Sequence, residues 1–109
     1  MATLSGAAYD RAMRPLTARL DDDSRRPWFL WDEDTSLGEL KAALQVPGDE
    51  RDRLLAKLLR EANDREVWRF VTPQDVADAL PRLARRIGRR RAPFWTFLIG
   101  KWREQGYVR

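Results

Sequence analysis

Residues 72–88 read TPQDVADALPRLARRIG, and this stretch decides the fold class. Thr72 offers a side-chain oxygen to the free amides at a helix start. Pro73 sits where a missing N–H costs nothing, and Asp75 sets a negative charge against the positive end of the helix dipole. Val76, Leu80, Leu83 and Ile87 then recur at three- and four-residue intervals, which puts them on one face of an α-helix. Gly88 follows, a residue suited to the turn that closes a helix. Pro81 lies inside the stripe, so either one helix kinks there or two short helices abut.

Similar signals recur on both sides. Asp49 reads as an N-cap, with Glu50 and Asp52 in the first turn, and Leu54, Leu55, Leu58, Leu59 and Ala62 form the rows of a core-facing helix. Asn63-Asp64 breaks it, and Glu66–Val71 reads as a short helix or turn. A strand there would have no partner. Further back, Ser36 and Glu39 match a capping box, Leu37, Leu40 and Leu44 form a stripe, and Pro47-Gly48 closes it. Beyond Gly88, Pro93 opens a last helix whose inward residues are expected to be Phe94, Phe97, Leu98 and Trp102, ending at Gly106. No fixed-period repeat occurs, which argues against a solenoid.

The expected fold is therefore all-α, a compact orthogonal bundle of four to six short helices over residues 27–109. Its expected core is Leu55, Leu58, Leu59, Val76, Leu80, Leu83, Phe94, Phe97 and Trp102. Residues 1–26 form an N-terminal arm, either helical or ordered on binding. Tyr9, Met13, Leu16 and Leu20 have helical spacing near 6–20, but Pro15 and the run Asp21-Asp22-Asp23 oppose it.

The chain has 109 residues, enough for one domain, with 43% apolar and 35% charged residues, so the surface is strongly ionic. It contains no cysteine and no histidine. Disulfides, thiolate or imidazole metal sites and histidine-dependent triads are thereby excluded. No run approaches the apolar length of a membrane span. Asp10, Arg11 and Arg14 interrupt the start of the chain where a signal peptide would need an apolar stretch. A soluble cytoplasmic protein without metal or cofactor is expected.

Asp32-Glu33-Asp34 contains a D-x-D pair, the spacing with which two carboxylates hold Mg²⁺ in nucleotidyl transfer. No glycine-rich phosphate loop accompanies it, and acidic residues before a helix favour its N-terminus without any metal. Ser5, Ser24 and Ser36 lack a base. The expectation is a protein that binds and does not catalyse. Nucleotide processing through Asp32 and Asp34 ranks last among the readings.

Charge is divided along the chain. Residues 1–81 hold 12 basic and 16 acidic side chains, whereas residues 82–109 hold nine basic and one acidic. Arg82, Arg85, Arg86, Arg89, Arg90, Arg91, Lys101 and Arg103 are the candidate partner-binding residues. Arginine suits phosphate, carboxylate and aromatic faces. Trp95 joins them: on a helix it lies about 100° from Phe94, which places it at the edge of the expected core as an interface anchor. Such a patch suits an acidic protein surface or a nucleic acid.

The order Trp31-Asp32, then Lys57-Leu58-Leu59-Arg60-Glu61-Ala62, Val67-Trp68-Arg69-Phe70-Val71-Thr72-Pro73, Gly88-Arg89-Arg90-Arg91 and Phe94-Trp95 resembles small bacterial helical proteins encoded beside abortive-infection-type nucleotidyltransferase toxins. The likeness covers about residues 29–105. It implies an antitoxin or accessory protein that engages and restrains a nucleotidyltransferase-type toxin. The alternative is a nucleic-acid-binding protein that contacts phosphates through the arginine-rich C-terminal region.

Overall fold

The computed structural model describes residues 14–109, which divide into two units between Ala42 and Ala43. Among the described residues the class is all-α: five helices, one 3-10 turn and one two-residue parallel strand pair.

In the first unit, β1 (Leu16–Thr17) runs parallel to β2 (Arg26–Pro27), with Leu16 opposite Arg26. The helix expected near 6–20 is not formed over its described part, and its residues 6–13 lie outside the described region. Proline at 15 and three aspartates at the helix's negative end oppose helix there, and the chain extends instead. Residues 14–26 are accordingly not a free arm: the Arg26 amide bonds to Pro15 O at 2.9 Å, and the Leu37 amide to Arg25 O at 2.8 Å. Leu20 bends the loop between the strands with a φ of 58°, a conformation costly for a residue with a Cβ, while its side chain is buried.

After a 3-10 turn at Trp28–Leu30 comes helix α1 (Leu37–Ala43). The capping box is made as expected: the Ser36 amide donates to Glu39 Oε1 at 2.8 Å and the Glu39 amide to Ser36 Oγ at 3.1 Å. Phe29, Leu30, Leu37 and Leu40 are buried.

The second unit contains α2 (Asp49–Glu61), α3 (Asp64–Val67), α4 (Pro73–Ile87) and α5 (Ala92–Glu104). Asp49 is the first helical residue of α2 instead of its cap, since Gly48 takes that place with a φ of 145°. Thr72 and Asp75 close a reciprocal box at the start of α4, at 3.1 and 2.9 Å. The helix runs unbroken through Pro81, whose ring stands on the exposed side. α2 packs on α4, and α4 on α5. Leu55, Leu58, Leu59, Val76, Leu80 and Leu83 are buried as expected.

The last helix is turned differently. Phe94 and Phe97 are exposed, at 37% and 65%, and Trp102 is half-buried, while Trp95 and Ile99 fill the core. This helix is apolar on most sides, so its own sequence does not single out one buried face.

Candidate functional site

Helix ends are held across this unit by side chains from neighbouring helices. The last carbonyls of a helix have no intrahelical donor. At the end of α2, the Trp95 indole N–H donates to Leu59 O at 2.7 Å, and Arg91 Nη2 donates to Ala62 O at 3.4 Å. At the end of α4, Arg60 Nη1 donates to Arg86 O at 3.1 Å. Trp95 also meets Trp68 edge to face at 5.7 Å and Phe94 at 4.9 Å.

The candidate partner-binding residues are thereby separated. Trp95 is fully buried and is not an interface anchor. An indole with a hydrogen-bond partner and aromatic neighbours in the interior is more stable there than at a surface. Arg91 is half-buried, with its guanidinium over the Phe94 and Trp95 rings at 5.1 and 5.6 Å, so it too belongs largely to the packing. Arg82 forms a two-pronged pair with Asp52, at 2.9 and 3.2 Å. Arg103 Nε bonds to Arg109 O, and Lys101 lies over the Phe97 ring and 3.7 Å from Glu104. Arg85, Arg86, Arg89 and Arg90 have exposed side chains.

Between the end of α4 and the start of α5 lies an open groove of about 690 Å³, lined by Ala84, Arg85, Gly88, Arg89, Ala92, Pro93, Thr96 and Phe97. Its floor is small because Ala84, Gly88 and Ala92 carry little or no side chain. Gly88 has a φ of 95°, which an L side chain rarely adopts, so the turn requires glycine. The groove thus combines an apolar trough, an exposed aromatic ring and two arginines. Of its lining, only Arg85 and Arg89 were legible as site residues. Phe97 has the spacing of a core residue, and the small residues carry no signal of a site, Gly88 reading only as a helix end.

Comparisons with models of protein families, with curated proteins and with solved structures find no match to this chain.

The two carboxylates of the D-x-D pair have different surroundings. Asp32 is exposed, and Asp34 Oδ1 lies 3.1 Å from Arg14 Nε. Among the described residues no group of three or more carboxylates is placed to hold a cation. No helix among them is long and apolar enough to cross a membrane.

Three carboxyls are held below their ordinary range: Asp52 chiefly by its hydrogen bonds from Arg82, Glu39 by the Ser36 amide, and Asp22 by the Ser24 hydroxyl. A carboxyl with a depressed folded pKa contributes stability above its unfolded value, and that contribution is lost as pH falls through the folded value. The thermal midpoint should therefore be flat from about pH 7 to 5 and decline below about pH 4. Asp52→Asn should lower the midpoint at pH 7 and make the acid decline shallower, by less than about 1 kcal/mol because its partner is exposed. Thermal melts across this pH range check both; a decline of equal depth in the variant would remove Asp52 from the account.

Proposed function

We propose that this chain is a non-catalytic binding module whose contact surface is the arginine-edged groove between α4 and α5, and that its partner is a protein with an acidic and apolar surface. The observation that carries this reading is the exposed Phe97 ring beside Arg85 and Arg89 around an apolar trough. A contact centre of aromatic and arginine residues resembles the energetically dominant part of protein interfaces. The resemblance of about residues 29–105 names the kind of partner: a nucleotidyltransferase-type toxin in the bacterial cytoplasm, which this chain would restrain as an antitoxin or accessory protein. The carboxylates with which such an enzyme holds its metal ions would meet Arg85 and Arg89, with Arg90 close by in sequence.

The test is co-expression with such a toxin, followed by purification of the complex. Phe97→Ala should leave the thermal midpoint nearly unchanged, since the ring is exposed, and weaken the complex on the order of tenfold or more. Arg85→Ala with Arg89→Ala should mainly slow association and reduce its salt sensitivity. Neither change altering the affinity would remove the groove from the reading. Micromolar binding of random single-stranded RNA in physiological salt, without any protein complex, would replace it with the nucleic-acid alternative. Nucleotide turnover with Mg²⁺ or Mn²⁺ that vanished in Asp34→Ala would overturn the non-catalytic assignment.

A further inference from the structure

A second concavity of the same unit has a different chemistry. It measures about 350 Å³ and is lined by Arg53, Ala56, Lys57, Arg60 and Arg86. Four of these five residues are cations, and none is acidic. Arg53, Lys57 and Arg60 stand at i, i+4 and i+7 on α2 and so share one face. Ala56 between them is buried and small, which leaves a hollow where a longer side chain would fill it. Arg60 is fixed across the hollow by its bond to Arg86 O at 3.1 Å. That bond uses the backbone of Arg86 and leaves its side chain, which is exposed, at the rim.

Four cations around one hollow repel one another, and anionic groups held near them relieve that repulsion. Carboxylates offset part of this, Asp52 through its charge acting on Arg86 and others in direct pairs, Glu50 with Arg53 at 2.6 Å and Glu61 with Arg60 at 3.1 Å. Both pairs lie at the surface, where such pairs contribute little, and an anion of higher charge density can compete for the guanidiniums. The site is also longer than a single phosphate. From residue 53 to residue 60 the helix rises about 10 Å. Guanidiniums at both ends of that span suit successive phosphate groups, each held by a two-pronged contact.

We propose that this hollow binds a small ligand carrying two or three linked phosphates, with Arg53 and Arg60 as the forked contacts and Lys57 and Arg86 as supporting charges. The site shares no residue with the groove of the proposed function, and its test does not depend on that function. Isothermal titration of the full chain with inorganic tripolyphosphate in physiological salt should show one site per chain with a dissociation constant below about 1 mM. Lys57→Gln with Arg86→Gln should weaken binding on the order of tenfold or more. Arg85→Gln with Arg89→Gln, which removes the same charge from the groove, should leave it unchanged. Circular dichroism verifies that both double variants remain folded, and Arg86→Gln alone, which preserves the Arg60 contact, serves as the milder variant. Absence of binding in the wild type, equal weakening by both pairs, or equally strong binding of citrate would each overturn the proposal, because each would indicate only general attraction of anions.

Discussion

Trp95→Ala should lower the stability of the second unit by about 3–5 kcal/mol, the range for truncating a buried large aromatic residue. Trp95 is fully buried, stands edge to face with Trp68, and caps the end of α2 through its 2.7 Å bond to Leu59 O. Truncation leaves a cavity, removes the ring contacts and strips a buried carbonyl of its donor. In a protein with a total stability of about 5–15 kcal/mol, this is a large share. The thermal midpoint should fall by roughly 12–40 °C, taking about 4–8 °C per kcal/mol for a domain of this size. Trp95→Phe separates the contributions: it keeps an aromatic ring but loses the N–H, and should cost about 1–3 kcal/mol. A fall of only a few degrees in Trp95→Ala would mean that the indole is exposed, the position that helical spacing from Phe94 suggests.

Arg26→Met should open the first unit. Arg26 is only 3% exposed, and its guanidinium donates to three backbone carbonyls: Arg14 O at 2.6 Å, Trp31 O at 2.7 Å and Glu33 O at 3.3 Å. One side chain thus ties the segment before β1 to the turn that follows β2. Methionine fills much of the same volume but donates nothing, so three acceptors lose their partner at once. Each buried acceptor left unsatisfied costs about 1–3 kcal/mol, reduced where water reaches it, and a total of about 3 kcal/mol is expected. Hydrogen exchange reads this locally. The amides of Arg26, Leu37 and Gly38, bonded to Pro15 O, Arg25 O and Asp23 O, should exchange on the order of a hundredfold faster. Arg26→Lys, with a point charge in place of a fork, should recover only part of the protection. Unchanged exchange in Arg26→Met would show that the strand pair and the loop hold without the guanidinium.

Arg26 also illustrates what was not legible. In the sequence it is one of two arginines before an aromatic run, and nothing local distinguishes it from Arg25, which is exposed and pairs with Asp22 at 3.2 Å. Its role depends on carbonyls five, seven and twelve residues away. The two-residue strand pair was hidden for the same reason: its paired residues lie ten apart in a segment too short for any alternation to register. The groove posed a different difficulty. Its floor is made by small residues, and its ring was assigned to the core.

The sequence by itself determined helices α1, α2, α4 and α5 and, to within a residue, where they start. Ser36 with Glu39 and Thr72 with Asp75 make their caps within four residues of each other, and the stripes on α2 and α4 are read at i, i+3 and i+4, so these elements depend on neighbours in the chain alone. The absence of histidine and cysteine, and with it the loss of whole classes of chemistry, was likewise fixed at that level. Tertiary structure decided the rotation of α5 and the fate of the C-terminal arginines. Phe94, Trp95, Phe97, Leu98, Ile99 and Trp102 make that helix apolar on several sides, so burial energy alone separates the possible faces poorly. In the folded unit the indole N–H of Trp95 meets the unpaired carbonyl at the end of α2, which couples the burial of its ring to a satisfied hydrogen bond. With Trp95 turned inward, Phe97 is exposed beside Arg85 and Arg89, Arg91 lies over the rings, and Arg86 faces the cations of α2. A run of like charges in sequence thus becomes separate environments, because each arginine's partners come from helices distant in the chain.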